Sequence, residues 1–296
     1  MSFKKKCVLY GNCQVMDYSF NILKNIKKFT DEYELYPYVN HDRLNTVKLV
    51  NINIKILEDC DLFIYQPLND NHGVYSTNYL LKFIKKNFIK ISFPYIYNSA
   101  LYTIHWENET INWRIGTLYN CGYKNIMIMI KNNISLDKIL EKYDNNELDF
   151  YFEERMNICI ESLKKKESGC TIKVSQFILE NYKDKRLFIS QNHLTNYFFK
   201  WIVNKILEFS NKNYNINNNY VFDGCVENQN VNDKYNLNYY NFKNKDEISN
   251  GDNSTKNKIK LFYESFSKIK DEISIEDIKP YLIEKKEPEK FKSHNL

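Results

Sequence analysis

The sequence predicts an α/β fold in which an open, mostly parallel sheet is flanked by helices. Three short and largely apolar runs in the first 95 residues are typical of buried strands, namely Cys7–Tyr10, Asp61–Tyr65 and Lys90–Phe93. Segments with helical spacing separate these runs, and Gly11 interrupts the chain directly after the first one. Repeated strand–loop–helix passages indicate a doubly wound α/β layer.

The other elements follow from hydrophobic spacing and from residues that begin or end helices. Glu34–Val39 predicts a strand, and Pro37 within it favours a position at the sheet edge. Leu44–Leu57 is compatible with either a helix or a strand. The further predicted elements are helices over Val15–Lys28, Tyr79–Phe88, Leu136–Tyr143, Phe152–Leu163 and Val174–Tyr182, a strand over Lys185–Ser190, and a helix that turns Phe198, Trp201, Ile202, Ile206 and Phe209 inward.

The composition narrows the classes of function. The net charge is +5, but 38 lysines stand against only 4 arginines, and acidic residues are interspersed among the lysines. A nucleic-acid-binding protein would show arginines and one basic face, so we expect no nucleic-acid partner. The seven cysteines form no Cys-x-x-Cys pair and have no neighbouring histidine, so we expect no metal site.

No signal peptide precedes the first strand, and no apolar run is long enough to span a bilayer. We therefore expect a cytoplasmic protein that makes at most peripheral contact with the inner face of the membrane. The oligomeric state does not follow from the sequence.

The candidate site begins at the carboxyl end of the first strand, where Gly11, Asn12, Cys13 and Gln14 precede a helix. In open α/β sheets, ligands bind in the crevice at the carboxyl ends of the strands. A thiol beside a helix N-terminus is a candidate nucleophile, and amides beside it are candidate oxyanion donors. The alternative is an inert, buried Cys13 and an Asn12 that only shapes a turn.

Two further loops carry polar residues at predicted strand ends. Gln66 follows the strand Asp61–Tyr65, and Asn192 and His193 follow the strand Lys185–Ser190. Because parallel strands end at one edge of a sheet, we expect His193 to approach Cys13. Histidine is the usual general base near neutral pH.

An aromatic-rich insertion is predicted between Tyr95 and Trp113. Its rings, among them Tyr95, His105 and Trp106, lie among asparagines and threonines, a combination suited to binding a sugar. The alternative is a hydrophobic patch beneath a long insertion, with His105 in a structural role.

We expect residues 1–210 to form the catalytic α/β domain. The composition changes after Asn211, where asparagine dominates up to Asn219. Residues 211–296 are therefore predicted to form an Asn-rich linker and a helical C-terminal extension.

The order of these motifs resembles the WcbI-type polysaccharide biosynthesis acetyltransferases, which assist in building bacterial capsules. The resemblance covers about residues 5 to 210. Leu194 stands where the family usually has a proline after Asn-His. The motifs that carry it are Gly11-Asn12-Cys13-Gln14, Tyr65-Gln66-Pro67, Ser92-Phe93-Pro94, Val174-Ser175-Gln176-Phe177-Ile178, Arg186-Leu187-Phe188 and Asn192-His193.

The resemblance implies binding of coenzyme A and transfer of an acetyl group from acetyl-coenzyme A to a sugar hydroxyl. The acceptor would be a sugar nucleotide, a lipid-linked glycan or a polymeric glycan. The expected roles are Cys13 and His193 in catalysis; Gly11, Asn12, Gln14, Gln66 and Asn192 in oxyanion binding or positioning; Arg155 and Arg186 in coenzyme binding; and Ser92, Tyr95, His105 and Trp106 in substrate binding.

A looser similarity exists to the SGNH hydrolases, whose fold is flavodoxin-like and whose late histidine matches His193. Those enzymes have an aspartate three residues before the histidine, and this chain has Ser190 there. A hydrolase that removes an acyl group from a glycan is therefore the first alternative function. A non-catalytic glycan-binding protein is the second.

Overall fold

The computed structural model describes residues 4–40, 52–84, 87–104, 122–212, 233–239 and 251–278. Its centre is a four-stranded parallel sheet with the strand order β2-β1-β3-β4. The strands are β1 (Lys5–Gly11), β2 (Tyr33–Val39), β3 (Leu62–Tyr65) and β4 (Ile89–Ser92). The predicted open, parallel α/β sheet is thereby confirmed.

The strand order creates a crevice between β1 and β3. The chain first adds β2 on one side of β1 and then returns to add β3 and β4 on the other side. At such a topological switch point the connections leave in opposite directions, which opens a cleft at the carboxyl ends of the strands. Gly11 and Gln66 lie on the two sides of this cleft, at the ends of β1 and β3.

Both faces of the sheet are covered, as the apolar strands require. Successive β1 side chains alternate, so that Cys7 and Leu9 enter one hydrophobic core and Val8 and Tyr10 enter another. The core around Val8 and Tyr10 is closed by two short helices, α3 (Ile54–Glu58) and α4 (Thr77–Leu81). The core around Cys7 and Leu9 is closed by the first helical passage and by later helices.

The first helical passage differs from the single predicted helix. It starts as a π-helix over Gln14–Ser19, continues as α1 (Phe20–Lys24), and after a break resumes as α2 (Lys27–Glu32). At the break the Asn25 side chain donates to the Asn21 carbonyl at 2.7 Å, which offers the backbone an alternative to continuing the helix. π-helical turns are rare and often mark functional sites.

The remaining helices are α5 (Lys124–Lys131), α6 (Leu136–Asp144), α7 (Phe152–Glu167), α8 (Ser175–Asn181), α9 (Asn196–Phe209), α10 (Lys234–Tyr239), α11 (Gly251–Phe266) and α12 (Ile275–Ile278), with 3-10 turns at Asp70–Tyr75 and Lys270–Glu272. The predicted inward face of α9 is right for Phe198, Ile202 and Ile206 but wrong for Phe209, which is 45% exposed. The helix predicted over Tyr79–Phe88 is short, because α4 ends at Leu81.

A second, helical core joins the middle of the chain to its C-terminal helices. Ile126 and Met127 of α5 and Ile139 of α6 share this core with Phe262 and Phe266 of α11. Helices on both sides of residue 211 therefore pack together. The predicted Asn-rich linker lies outside the described residues.

The strand predicted over Lys185–Ser190 does not join the parallel sheet. Instead, β5 (Phe188–Ser190) pairs antiparallel with β6 (His193–Leu194) to form a small hairpin. At the end of β4, the Ile172 N–H donates to the Ser92 carbonyl at 2.8 Å, so another segment already occupies the backbone there. His193 thus lies on a hairpin strand, and the next helix, α9, begins three residues later.

None of the helices within the described residues combines the length and the apolar character that crossing a bilayer demands.

Candidate active site

Gly11 allows the chain to turn tightly from β1 into the π-helix. A Cβ atom on this residue would lie 2.3 Å from Cγ2 of Val15 and 3.0 Å from Oε1 of Gln66. Because Val15 is itself fully buried, it has no room to move aside. The glycine is required here by the close approach of the helix and the β3 loop, which brings Asn12, Cys13 and Gln14 to the lip of the crevice.

The side chain of Gln14 connects three separate loops. This residue is fully buried, and its Nε2 group donates to the carbonyls of Ile96 at 2.7 Å and Asn192 at 2.8 Å. Its Oε1 atom accepts from the N–H of Ile96 at 3.1 Å and from Nε2 of Gln66 at 2.9 Å. The amide thus uses both donor hydrogens and both acceptor sites. Gln14 therefore fixes the distance between the loop after β1, the loop after β4 and the turn before His193.

Gln66 completes this buried pair of amides. Its Oε1 atom accepts from the Asn12 N–H at 3.1 Å, and its Nε2 group also reaches the Pro94 carbonyl at 3.4 Å. Both amides are thus engaged with protein groups, which gives Gln14 and Gln66 a positioning role. Of the two roles predicted for them, direct donation to an oxyanion does not fit this arrangement.

His193 is held against the same junction by the β5–β6 hairpin. The two-residue turn of this hairpin is Gln191 and Asn192. The Gln191 carbonyl accepts from the Asn98 N–H at 2.7 Å, and its side-chain oxygen accepts from the Tyr97 hydroxyl at 2.6 Å. On the other side, Gln14 binds the Asn192 carbonyl. The turn is therefore anchored on both of its residues.

Cys13 lies one residue before Gln14 in the chain, at the start of the π-helix. It is buried, with 9% of its surface exposed, and its backbone is already helical. The sequence therefore places Cys13 next to Gln14 and His193 next to Asn192, the two residues that the Gln14–Asn192 hydrogen bond joins. A helix N-terminus stabilises negative charge, which suits a thiolate or an oxyanion at this position.

The remaining hydrogen-bond donors of the β1 loop can be assigned one by one. The Gln14 N–H donates to Oδ1 of Asn12 at 2.9 Å, and the N–H groups of Val15 and Met16 donate to the Asn12 carbonyl. This arrangement turns Nδ2 of Asn12 away from its own helix. Within the described residues that NH2 group makes no hydrogen bond, and Asn12 is only half-buried. Asn12 is therefore the predicted oxyanion donor that best fits this geometry.

Arg155 does not lie where coenzyme binding would require it. It is fully buried, and its guanidinium donates to the carbonyls of Ser99 at 2.8 Å, Phe150 at 3.2 Å and Thr103 at 3.3 Å. This side chain holds the loop after β4 to α7 and has no surface for a diphosphate, contrary to the prediction. Arg186 is half-buried beside Tyr102, whose pKa is raised by burial while the positive charge of Arg186 acts against that rise.

The predicted substrate-binding residues differ in their exposure. Ser92 is buried, and its Oγ atom accepts from the Thr171 N–H at 3.0 Å, so it fastens the 170–172 segment to β4 rather than facing a substrate. Tyr95 is 36% exposed, and the Lys166 ammonium lies 5.4 Å from its ring centre. His105, Trp106 and the rest of the insertion up to Cys121 lie outside the described residues.

Sequence reasoning missed one member of the site. The Ser190 hydroxyl lies 2.6 Å from Nδ1 of His193, because the two residues face each other across the hairpin. The available signal was its position, three residues before the histidine, where the hydrolases have their aspartate. No cluster of three or more potential metal ligands occurs in the described part of the chain.

The fold and this junction define an α/β protein in which the loop of Cys13, at the crevice between β1 and β3, is hydrogen-bonded to the turn of His193. The model of the family described as "Polysaccharide biosynthesis enzyme WcbI" matches residues 6–212, which is more than half of the chain. The chain therefore belongs to the WcbI family of polysaccharide biosynthesis enzymes, and the predicted family is confirmed.

The fold is also similar to a solved structure of WcbI, described as a novel polysaccharide biosynthesis enzyme. That structure is of the native protein without a disulfide bond between coenzyme A and one of its cysteines. The two chains are 17% identical with a TM-score of 0.58, and the match covers 90% of this chain and 96% of the other. No curated protein sequence matches this chain.

Proposed function

We propose that this protein is an O-acetyltransferase that moves an acetyl group from acetyl-coenzyme A to a sugar hydroxyl during bacterial capsule or surface polysaccharide synthesis. The observation that carries the proposal is the buried Gln14 amide, which ties the loop of Cys13 to the turn of His193. A thiol and an imidazole on two anchored loops are suited to acyl transfer.

In this reaction the chain supplies a base, an oxyanion donor and a fixed geometry. His193 accepts the proton of the sugar hydroxyl as the oxygen attacks the thioester carbonyl. Asn12 Nδ2 and the helix N-terminus face the negative charge that develops on the carbonyl oxygen. When the carbon–sulfur bond breaks, His193 returns the proton to the leaving sulfur, so that the products are the acetylated sugar and coenzyme A.

The role of Cys13 separates two routes. In the covalent route, the Cys13 thiolate attacks the acetyl carbonyl and coenzyme A leaves, which exchanges one thioester for another. The sugar hydroxyl then attacks the acetyl carbonyl on Cys13, and the Cys13 thiolate leaves. In the direct route, Cys13 lines the pocket beside the oxyanion. The related structure is described as lacking a disulfide bond between coenzyme A and one of its cysteines, and this pairing of coenzyme and cysteine supports a coenzyme site beside the thiol of Cys13.

The acceptor has a candidate contact surface at Tyr95. This ring is exposed beside Pro94 and lies near the Lys166 ammonium, so it offers an apolar face and a cation in the loop after β4. We propose a sugar nucleotide, a lipid-linked glycan or a polymeric glycan as the acceptor, with the reaction on the cytoplasmic side of the membrane.

The test combines binding and turnover. Calorimetry with coenzyme A and acetyl-coenzyme A is expected to show saturable binding to wild type and to His193→Gln. The His193→Gln variant is expected to lose about 10²- to 10⁴-fold in acetyl transfer, because glutamine cannot take up the proton. Mass spectrometry after mixing with acetyl-coenzyme A is expected to show an adduct on Cys13 for the covalent route, and Cys13→Ser would then be inactive.

His72→Gln is the matched control, because His72 is exposed in the 3-10 turn after β3 and is expected to be dispensable. Absence of binding at millimolar coenzyme A, together with hydrolysis of a simple acetyl ester, would favour the hydrolase instead.

A further inference from the structure

We infer that Ser190 and Asn192 are positioning residues that set the tautomer of His193. This inference deepens the proposed function and depends on it. The two atoms concerned are the Ser190 Oγ and the His193 Nδ1, which lie 2.6 Å apart.

The hairpin makes this contact inevitable. Ser190 and His193 are paired across β5 and β6, so their side chains emerge side by side. Behind them, Thr195 anchors the hairpin, with its N–H donating to the Leu187 carbonyl and its hydroxyl to the Arg186 carbonyl, both at 3.0 Å. The serine is therefore held beside the ring by the backbone and not by a chance rotamer.

The direction of the hydrogen bond follows from Asn192. The Ser190 hydroxyl donates its only hydrogen to Oδ1 of Asn192, at 3.3 Å. With that hydrogen engaged, the Oγ atom offers lone pairs to the histidine, so the proton between them belongs to Nδ1 of His193. A neutral imidazole carries one proton, and Nε2 is left as the basic nitrogen.

This arrangement performs one of the two tasks of a carboxylate. It selects the tautomer and the ring orientation that a general base at Nε2 needs. Neither Ser190 nor Asn192 carries a charge, so the pair itself adds no negative charge beside the imidazolium that forms during turnover. In the SGNH hydrolases the residue three positions before the histidine is an aspartate. Here that residue is Ser190, which accepts from His193 while its own hydrogen is donated to Asn192.

The test observes the tautomer directly, without reference to activity. With ¹⁵N-labelled histidine, the two ring nitrogens of His193 are assigned by comparison with His193→Gln, at a pH where the ring is neutral. Wild type is expected to carry the proton on Nδ1. In Ser190→Ala a substantial fraction is expected to move to Nε2, and Ser190→Thr, which keeps the hydroxyl, is expected to restore the wild-type spectrum.

Asn192 provides a second, matched pair of variants. Asn192→Ala removes the acceptor of the serine proton, so the hydroxyl can turn to donate to Nδ1 and the Nε2–H form is expected to increase. Asn192→Asp keeps an acceptor oxygen and is expected to preserve the Nδ1–H form. Both variants retain the backbone carbonyl that Gln14 binds.

Turnover gives the second readout. Ser190→Ala is expected to lower kcat about tenfold with KM unchanged, since one orienting hydrogen bond is lost. A wild-type proton on Nε2, or a spectrum and a kcat that Ser190→Ala leaves unchanged, would overturn the inference. If the tautomers behave as expected but no acetyl transfer occurs with any acceptor, the proposed function fails while the assignment of the hydrogen bond stands.

Discussion

Two of the buried polar centres in the described part of the chain differ in charge, one being neutral and the other acidic. The amide centre is the pair Gln14 and Gln66 at the edge of the parallel sheet. The carboxylate centre is Asp233 in the helical core, which is 2% exposed. Its two oxygens accept from the hydroxyls of Thr103 at 2.5 Å and Thr255 at 2.6 Å, and Oδ1 also accepts from the Tyr235 N–H at 3.1 Å.

The difference between the two centres lies in what they join. An amide both donates and accepts, so Gln14 can link carbonyls and N–H groups from loops after β1, β4 and β5. A carboxylate only accepts, so Asp233 gathers donors, and its donors come from the loop after β4, from α10 and from α11. The amide centre therefore controls the geometry between Cys13 and His193, whereas the carboxylate centre controls the assembly of the helical core.

Gln14→Leu gives the largest expected effect, because it breaks the amide centre. The substitution keeps approximately the side-chain volume but leaves four buried polar groups without their partner, including the carbonyls of Ile96 and Asn192. We expect a loss of about 3–6 kcal/mol in the free energy of unfolding, measured by urea denaturation. Transfer activity is expected to disappear even below the unfolding temperature, since the turn of His193 loses its anchor.

Gln176→Leu is the matched control. Gln176 is exposed, and within the described residues its side chain hydrogen-bonds Glu180 one helical turn away, so its loss is expected to cost under about 0.5 kcal/mol. A folded and active Gln14→Leu protein would show that the amide centre does not hold the two loops together.

The sequence predicted the amide half of the site because its signals are local. An apolar run, a glycine and a helical spacing follow one another within Cys7–Lys28, and each is a short-range preference. Ser135 caps α6 through a contact that is just as local, since its side chain accepts from the Lys138 N–H three residues later. The family motif at Gly11–Gln14 lies at the crevice between β1 and β3.

The hairpin and the helical core were not predictable in this way. Whether Phe188–Ser190 joins the sheet depends on what else lies beside β4, and the 170–172 segment lies 16 or more residues earlier in the chain. Burial of Arg155 depends on carbonyls more than 50 residues away in sequence, at Ser99 and Thr103. Such contacts are set by tertiary packing, which residue spacing does not encode.

Asn12→Asp, next to the amide centre, separates an effect on kcat from an effect on stability. Aspartate keeps the oxygen that caps the Gln14 N–H but replaces the NH2 group, which we assign to the oxyanion. We expect kcat to fall roughly 100- to 1000-fold, the effect of removing one oxyanion donor. The free energy of unfolding is expected to change by less than about 1 kcal/mol, because the backbone contacts remain.

The matched control for this variant is Asn53→Asp at the start of α3. The Asn53 side chain accepts from the backbone N–H two residues later, at Lys55, just as Asn12 accepts from Gln14. Asn53, however, lies at the start of the helix that packs on the other face of the sheet from the π-helix. We expect wild-type kcat from this control. Equal losses of activity in both variants would point to the added charge and not to the oxyanion donor.

Asp233→Ala probes the carboxylate centre and has the smallest expected effect on activity. It leaves two buried threonine hydroxyls and one N–H without their acceptor, and we expect a loss of about 2–3 kcal/mol in unfolding free energy. Asp271→Ala, at an exposed position of the same helical region, is expected to change stability by less than about 0.5 kcal/mol. Because no hydrogen bond of Asp233 reaches the loops of Cys13 or His193 within the described residues, kcat of the folded variant is expected to match wild type. A large fall in kcat at a temperature where Asp233→Ala remains folded would mean that the helical core also sets the geometry of the crevice, through the loop that Thr103 and Asn98 share.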